Sequence, residues 1–235
     1  MPAHGGLRER VLEANRAVVR AGLVVLTFGN ASAVDREAGV MAIKPSGVAY
    51  DDLSAEKMVV VDLETGAVVD GAHRPSSDTP THLVLYRAFD AVGGIVHTHS
   101  TFATAWAQAA RELPCFGTTH ADHFRGPVPV TRAMSSDEIH GDYEERTGDV
   151  IVETFERRGL DPLETPAVLV ASHGPFAWGA DVEHAVENAV ALETVAELAL
   201  QTVTLRADAA AVGDDLLDRH FLRKHGPAAY YGQVP

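Results

Sequence analysis

The sequence predicts an α/β fold: one domain over residues 1–235, built in three layers (α/β/α), with a central, mostly antiparallel sheet covered by helices on both faces. Three observations lead there. Segments with apolar residues at helical spacing alternate along the chain with short, β-rich apolar runs. The runs at 59–63 and 67–69, and those at 167–172 and 175–178, are separated by tight-turn residues, which joins them as hairpins rather than as βαβ units. Finally, 235 residues with 46% hydrophobic content, no Pro/Gly/Ser-rich linker and no internal repeat suffice to close one core of this kind.

The elements follow in order. Residues 7–21 form a helix, with Leu7, Val11, Leu12, Val18 and Val19 near one stripe and Gly22 as its stop. Residues 23–28 are short, apolar and β-rich, and read as a strand; further strands are expected at 39–43 and 58–62. Glu64-Thr65-Gly66 turns the chain into 67–69. Asp78 or Thr79 caps a helix with Pro80 in its first turn, running to about Asp90. A strand at 93–99, an alanine-rich helix at 101–111 and a short strand at 128–131 follow. Helix 149–159 closes on Gly159, and the strands 167–172 and 175–178 flank His173-Gly174. The longest helix is expected at 181–207 and the last at 214–225, before Gly226-Pro227.

Composition narrows the function. Acidic residues number 33 and basic residues 19, a net charge of −14 with histidine neutral. Such a chain lacks the clustered cations that non-specific nucleic-acid binding and anionic membranes require. Lysine occurs only at 44, 57 and 224, which limits Schiff-base chemistry, and the lone Cys115 excludes an internal disulfide or a thiolate metal cluster. The N-terminal residues carry no apolar leader segment, and no apolar run approaches the roughly 20 residues of a membrane span. A soluble, cytoplasmic protein is the expectation.

Histidine, with twelve copies, carries the chemistry. Ile95-Val96-His97-Thr98-His99-Ser100 ends an apolar strand in His-x-His. Side chains two apart on a strand share a face, so both imidazoles can meet one ion; alternatively they are two polar residues on a wet face. A second apolar strand ends at Ser172-His173-Gly174, where His173 is either a turn residue or a third ligand. Three imidazoles make the ligand set of a catalytic zinc site with an open position, and they also accept Mn²⁺, Co²⁺ or Ni²⁺. Asp78 lies in Ser76-Ser77-Asp78-Thr79-Pro80 just before a helix. There it is an N-cap, a metal ligand or a base, and Ser76 and Ser77 are placed for a phosphate at the helix N-terminus. Gly29-Asn30 and Lys44-Pro45-Ser46-Gly47 follow apolar runs and have the composition of anion cradles, the second with a cation. Asp122, between His120 and His123, and the tail tyrosines 230 and 231 stay ambiguous between surface or packing roles and acid/base work.

Taken together, these motifs resemble the class II (metal-dependent) aldolase/epimerase superfamily, on its L-ribulose-5-phosphate 4-epimerase branch. The carriers, in order, are LTFGNASAVDRE, IKPSGV, RPSSDTPTH (a variant of KPSSDTPTH), GGIVHTHS, GTTHAD, SHGPFAWG and RKHGPAAYYGQ, from about residue 7 to 233. The resemblance implies a class II aldolase-like fold and one Zn²⁺ per subunit, with Mn²⁺ or Co²⁺ as substitutes. Its ligands would be His97, His99 and His173, with Asp78 on or beside the metal. It also implies a sugar-phosphate substrate lined by Gly29, Asn30, Lys44, Ser46, Gly47, Ser76 and Ser77. Asp122 and Tyr231 would be the two acid/base residues, contributed by a neighbouring subunit of a four-fold homotetramer. The implied reaction inverts C4 by breaking and remaking the C3–C4 bond in a retro-aldol/aldol sequence. A sugar-phosphate aldolase of the L-fuculose-phosphate type, or an epimerase of another pentose pathway, is the alternative on the same scaffold. Asp at position 78, where such aldolases carry Glu, and the tail motif point to the epimerase branch.

Overall fold

Alternation along the strands creates two separate apolar layers, and these organise the fold. The computed structural model describes residues 4–230. Its strands are β1 (Asn30–Asp35), β2 (Val40–Ile43), β3 (Val59–Asp62), β4 (Val68–Asp70), β5 (Gly94–His97), β6 (Ala167–Leu169) and β7 (Pro175–Gly179). They make one sheet in the order β4-β3-β2-β1-β5-β7-β6, and each neighbouring pair is antiparallel. Ala33, Ala42, Val60, Val96 and Ala177 face one layer, under α1 (Gly5–Arg20), α3 (Thr101–Gln108) and α7 (Val182–Leu205). Met41, Ile43, Val59, Ile95, Phe176 and Trp178 face the other, under α2 (Thr79–Ala88) and α6 (Tyr143–Arg158). The expected α/β architecture, with helices on both faces of an antiparallel sheet, is thus observed.

Side-chain size decides how each face is covered. The alanines of the first face let α7 approach closely, and Gly94 on β5 packs where a Cβ would meet the Val182 backbone at 2.3 Å. The second face holds the large aromatics. Trp178 is wholly buried, donates from its indole to Pro162 O at 2.7 Å, and packs against Phe89 and Phe155. Truncating an aromatic of this kind to Ala costs about 3–5 kcal/mol.

Most elements stand where the pattern puts them. Helix α1 ends with Leu23 N–H on Val18 O and Gly22 N–H on Val19 O, the paired bonds of a Schellman stop, with Gly22 at φ 72°. The 62–67 hairpin, the Gly159 stop and α8 (Asp214–His225) also match. Two expected strands are corrected. Residues 23–28 are not a strand: Leu26 is left-handed at φ 57°, and Val25, Leu26 and Phe28 are exposed. Their apolar character imitates a buried strand without pairing as one. Consequently Asn30 opens β1 instead of following a strand. Residues 128–131 give only isolated bridges, Leu113 with Val128 and Val130 with Leu169, because Pro127 and Pro129 cannot donate to a ladder. Strand β5 ends at His97, so His99 lies just beyond it. The short helices α4 (Thr118–Ala121) and α5 (Ser136–His140) carried no periodic signal. Among the described residues, no helix is long and apolar enough to cross a membrane.

Candidate functional site

The site lies at one end of the α2/α6 layer, where β1 begins and β5 ends. Register builds it: Asn30 of β1 and Phe176 of β7 stand opposite His97 of β5 on its two sides. His97 stacks on Phe176 at 4.1 Å between centroids. Its Nδ1 donates to Pro175 O at 2.9 Å. A carbonyl only accepts, so Nδ1 carries a proton, the usual second contact of a histidine that ligates through Nε2. His99 Nε2 lies 3.2 Å from His97 Nε2. His173 arrives from the turn between β6 and β7, after Ser172 at φ 61°. One nitrogen from each of the three rings falls within 4.8 Å of the others. Ligands about 2.0–2.1 Å from a tetrahedral ion stand roughly 3.3 Å apart, so this donor set fits a divalent metal with little movement. Burial and the neighbouring imidazoles push His173 down to about 4 and lower His99, which keeps both neutral with lone pairs available.

Asp78 occupies the N-cap position of α2, yet its carboxylate makes no cap bond. It accepts from Asn30 Nδ2 at 2.6 Å instead and faces the same cleft as the three histidines. Burial alone would raise its pKa; His97, His82, the Asn30 hydrogen bond and His173 outweigh this, and the net shift is downward. The group is therefore an anion beside the imidazoles. Asn30 Nδ2 also donates to Ser76 Oγ at 3.1 Å, which ties the α2 entry loop to the strand.

Two loops form the rim. Ser46 N–H donates to Arg74 O and Ser76 N–H to Lys44 O, a bridge about Pro45 and Pro75. The bridge places Ser46, Gly47, Ser76 and Ser77 along one edge of the cleft. Lys44 is buried, lies 4.8 Å over the Tyr50 ring and donates to Thr27 O at 3.3 Å. Burial lowers its pKa, and Asp78 partly opposes that. Gly29, at φ 83°, packs so close to β5 that a Cβ would stand 2.8 Å from His97 O. On the far side Glu193 of α7 accepts from the N–H groups of Phe102 and Ala103 at 2.8 and 2.9 Å. That anchors the start of α3 directly after His99.

The cleft measures about 420 Å³ and brings together Gly29, Asn30, Lys44, Ser46, Gly47, Ser76, Ser77, Asp78, His97, His99 and His173. Asp122 stands apart from it, at the end of α4. It pairs with Arg223 at 3.0 and 2.8 Å and with His220 at 3.1 Å, both on α8. Burial raises its pKa, but these partners lower it further, so Asp122 is a carboxylate near neutrality. Tyr231 lies outside the described residues. Sequence reasoning missed Tyr143 and Glu144, which line the cleft from the start of α6. Tyr143 Oη is 3.4 Å from His173 Nδ1. Neither residue belongs to a run with chemical spacing. A second cleft of about 440 Å³ lies across loop 74–77, near Arg74, Arg87 and Glu145.

A family description agrees with this geometry: the class II aldolase and adducin N-terminal domain model matches residues 9–200. The chain belongs to the class II aldolase family. Among relatives, it is 53% identical over 227 residues to the L-ribulose-5-phosphate 4-epimerase UlaF of Salmonella paratyphi C, covering 97% of this chain and 98% of that one. The same protein of Salmonella choleraesuis matches equally. Of solved class II aldolase structures, an L-fuculose 1-phosphate aldolase superposes with a TM-score of 0.77 at 25% identity, covering 92% of this chain and 94% of that one. The L-fuculose 1-phosphate aldolase of Glaciozyma antarctica PI12 shares the fold at 18% identity and a TM-score of 0.76, over 97% and 85% of the two chains.

Proposed function

We propose that this class II aldolase family member is an L-ribulose-5-phosphate 4-epimerase that interconverts L-ribulose 5-phosphate and D-xylulose 5-phosphate. The observation that carries the reading is 53% identity to an epimerase of that name along almost the whole of both chains. The cleft supports it chemically. His97, His99 and His173 would hold one divalent ion, Zn²⁺ by preference with Mn²⁺ or Co²⁺ as substitutes, and Asp78 would ligate it or orient what it binds. When bound, such an ion supplies Lewis-acid stabilisation of negative charge on carbonyl and hydroxyl oxygens.

The chain's own groups do the rest. Ser46, Gly47, Ser76 and Ser77 edge the cleft beside the N-terminus of α2, where the serine hydroxyls, the positive end of the helix dipole and Lys44 would suit a phosphate. Asn30, held by Asp78 and Ser76, would line the bound substrate. The C4–H bond is too weakly acidic for direct proton loss. A base therefore takes the C4 hydroxyl proton. As C4 becomes an aldehyde carbonyl, the C3–C4 bond breaks and its electron pair passes into the C2 carbonyl as an enediolate. The enediolate then attacks the other face of the turned aldehyde while the new C4 oxygen takes up a proton. Asp122 and Tyr231 are proposed for proton transfer on the two faces. Because Asp122 stands outside the cleft of its own chain, it would serve the cleft of a neighbour in a four-fold homotetramer.

Incubation with L-ribulose 5-phosphate should give D-xylulose 5-phosphate, and a chelator should abolish the conversion. The structural likeness to L-fuculose 1-phosphate aldolase supports a second reading, aldol cleavage. Net release of an aldehyde and dihydroxyacetone phosphate from L-fuculose 1-phosphate, without epimerisation of the pentose phosphate, would establish that reading instead.

A further inference from the structure

Buried polar atoms in folded proteins are almost always hydrogen-bonded, so an unpaired one calls for a reason. His82 Nε2 is such an atom: the residue is wholly buried in the middle of α2, and this nitrogen makes no hydrogen bond. The other ring nitrogen is engaged. Nδ1 lies 2.7 Å from Ser32 Oγ, which lies 2.8 Å from Tyr86 Oη. Among the described residues the buried Tyr86 phenol has no hydrogen-bond partner other than Ser32 Oγ, so its proton has no other acceptor. The phenol proton is then directed to Ser32, and the Ser32 proton to His82 Nδ1. That polarity leaves a neutral imidazole with its single proton on Nε2.

The ring has one anion to address. Asp78 precedes His82 by one helical turn and shares its helix face. The two residues pair with Asn30 and Ser32, which are two apart on β1, so α2 docks on the strand through two polar rungs. Four helical residues advance about 6 Å and two strand residues about 6.7 Å, and the rungs therefore match. On its other side the ring meets Phe176 edge-on at 6.0 Å, and Phe176 stacks on His97. Asp78 Oδ2 is taken by Asn30, which leaves Oδ1.

We propose that His82 is a positioning residue, whose Nε2–H is the donor that orients the Asp78 carboxylate toward the three cleft histidines. A packing role alone would be served better by an apolar side chain, since an unpaired N–H in the core destabilises the fold. The inference rests on the reading of Asp78 given under the proposed function.

Nitrogen-15 labelling of histidine tests it first. Long-range proton–nitrogen correlation should show His82 neutral and protonated on Nε2; protonation on Nδ1 would overturn the proposal. The second measurement is cobalt(II) affinity of the metal-free protein, followed by the visible absorption of the bound ion. His82→Leu should keep its thermal midpoint but bind cobalt about 10- to 100-fold more weakly with an altered spectrum, while His82→Gln, which keeps a donor, recovers most of the affinity. Wild-type affinity and spectrum in His82→Leu would refute the assignment. If His82→Leu does not fold, Ser32→Ala decides, because it unlocks the tautomer and should weaken cobalt binding while unchanged affinity and spectrum would count against the proposal. Asp78→Asn separates the two readings. If it binds cobalt and turns over substrate like wild type, the role of Asp78 fails. If it is impaired while His82→Leu is not, only the role of His82 fails.

Discussion

At the scale of single residues, the cleft is a set of lone pairs and one carboxylate held in place by neighbours that are themselves fixed. His97 is the most constrained, stacked on Phe176 and bonded to Pro175 O. We expect His97→Asn to lose metal and activity together, with metal affinity down by about 100-fold or more and little change in fold. Stoichiometric metal in the purified variant would refute the ligand assignment. Burial also sets a pH response. His82 and His120 are pushed down to about 3 and about 4 from an ordinary 6.5, by desolvation. The unfolded chain therefore takes up protons below about pH 6.5 that the folded chain refuses. Stability is full above that pH and is lost as pH falls toward 4, on the order of 3 kcal/mol from each histidine. Urea midpoints should decline steadily from pH 7 to 4.5; a flat profile would contradict the buried neutral histidines. The sequence announced the three cleft histidines because strand ends and His-x-His are local patterns. It was silent on His82, whose partner Ser32 is 50 residues away, and on Tyr143, because only tertiary contact brings them to the site.

At the scale of elements, the site depends on how closely α7 and α2 press on the sheet. Gly94 is the tight point on the first face, with the Val182 Cα 2.3 Å from where a Cβ would stand. Backbone rather than a flexible side chain is in the way, so Gly94→Ala must displace α7 or β5. Overpacking of this kind costs about 1–3 kcal/mol and occasionally more. Because His97 ends the same strand, a loss of metal affinity should accompany the lower thermal midpoint; an unchanged midpoint would show that the crossing is softer than it looks. The elements legible in the sequence were those with a period and a stop, as α1 with Gly22 and α6 with Gly159. The antiparallel sheet was legible through its hairpin turns, although the pairing of β1 with β5 joins segments some sixty residues apart and left no local mark. Residues 23–28 misled because their apolar side chains, of which Val25, Leu26 and Phe28 are exposed here, have the composition of a buried strand.

At the scale of the whole molecule, a chain of net charge −14 gathers Lys44, three imidazoles and the Asp78 carboxylate along one edge. Half of the proposed chemistry is absent from that edge. Asp122, fixed by Arg223 and His220 against α8, does not line the cleft of its own chain, so a single subunit would hold an incomplete site. This makes the proposed tetramer a requirement for turnover rather than a matter of stability, and complementation can test it. The His97→Asn variant should be inactive for want of a ligand but carries an intact Asp122. The Asp122→Asn variant should be inactive for want of a proton-transfer group but keeps its three histidines. In a mixed ring, a site formed by the histidines of one variant and the Asp122 of the other is whole. Random assembly from equal amounts gives about one such site in four. Co-refolding the two inactive variants should therefore restore about a quarter of wild-type activity, whereas either variant refolded alone stays inactive. If the mixture stays inactive while a mixed tetramer is demonstrated by mass, Asp122 does not act across the interface.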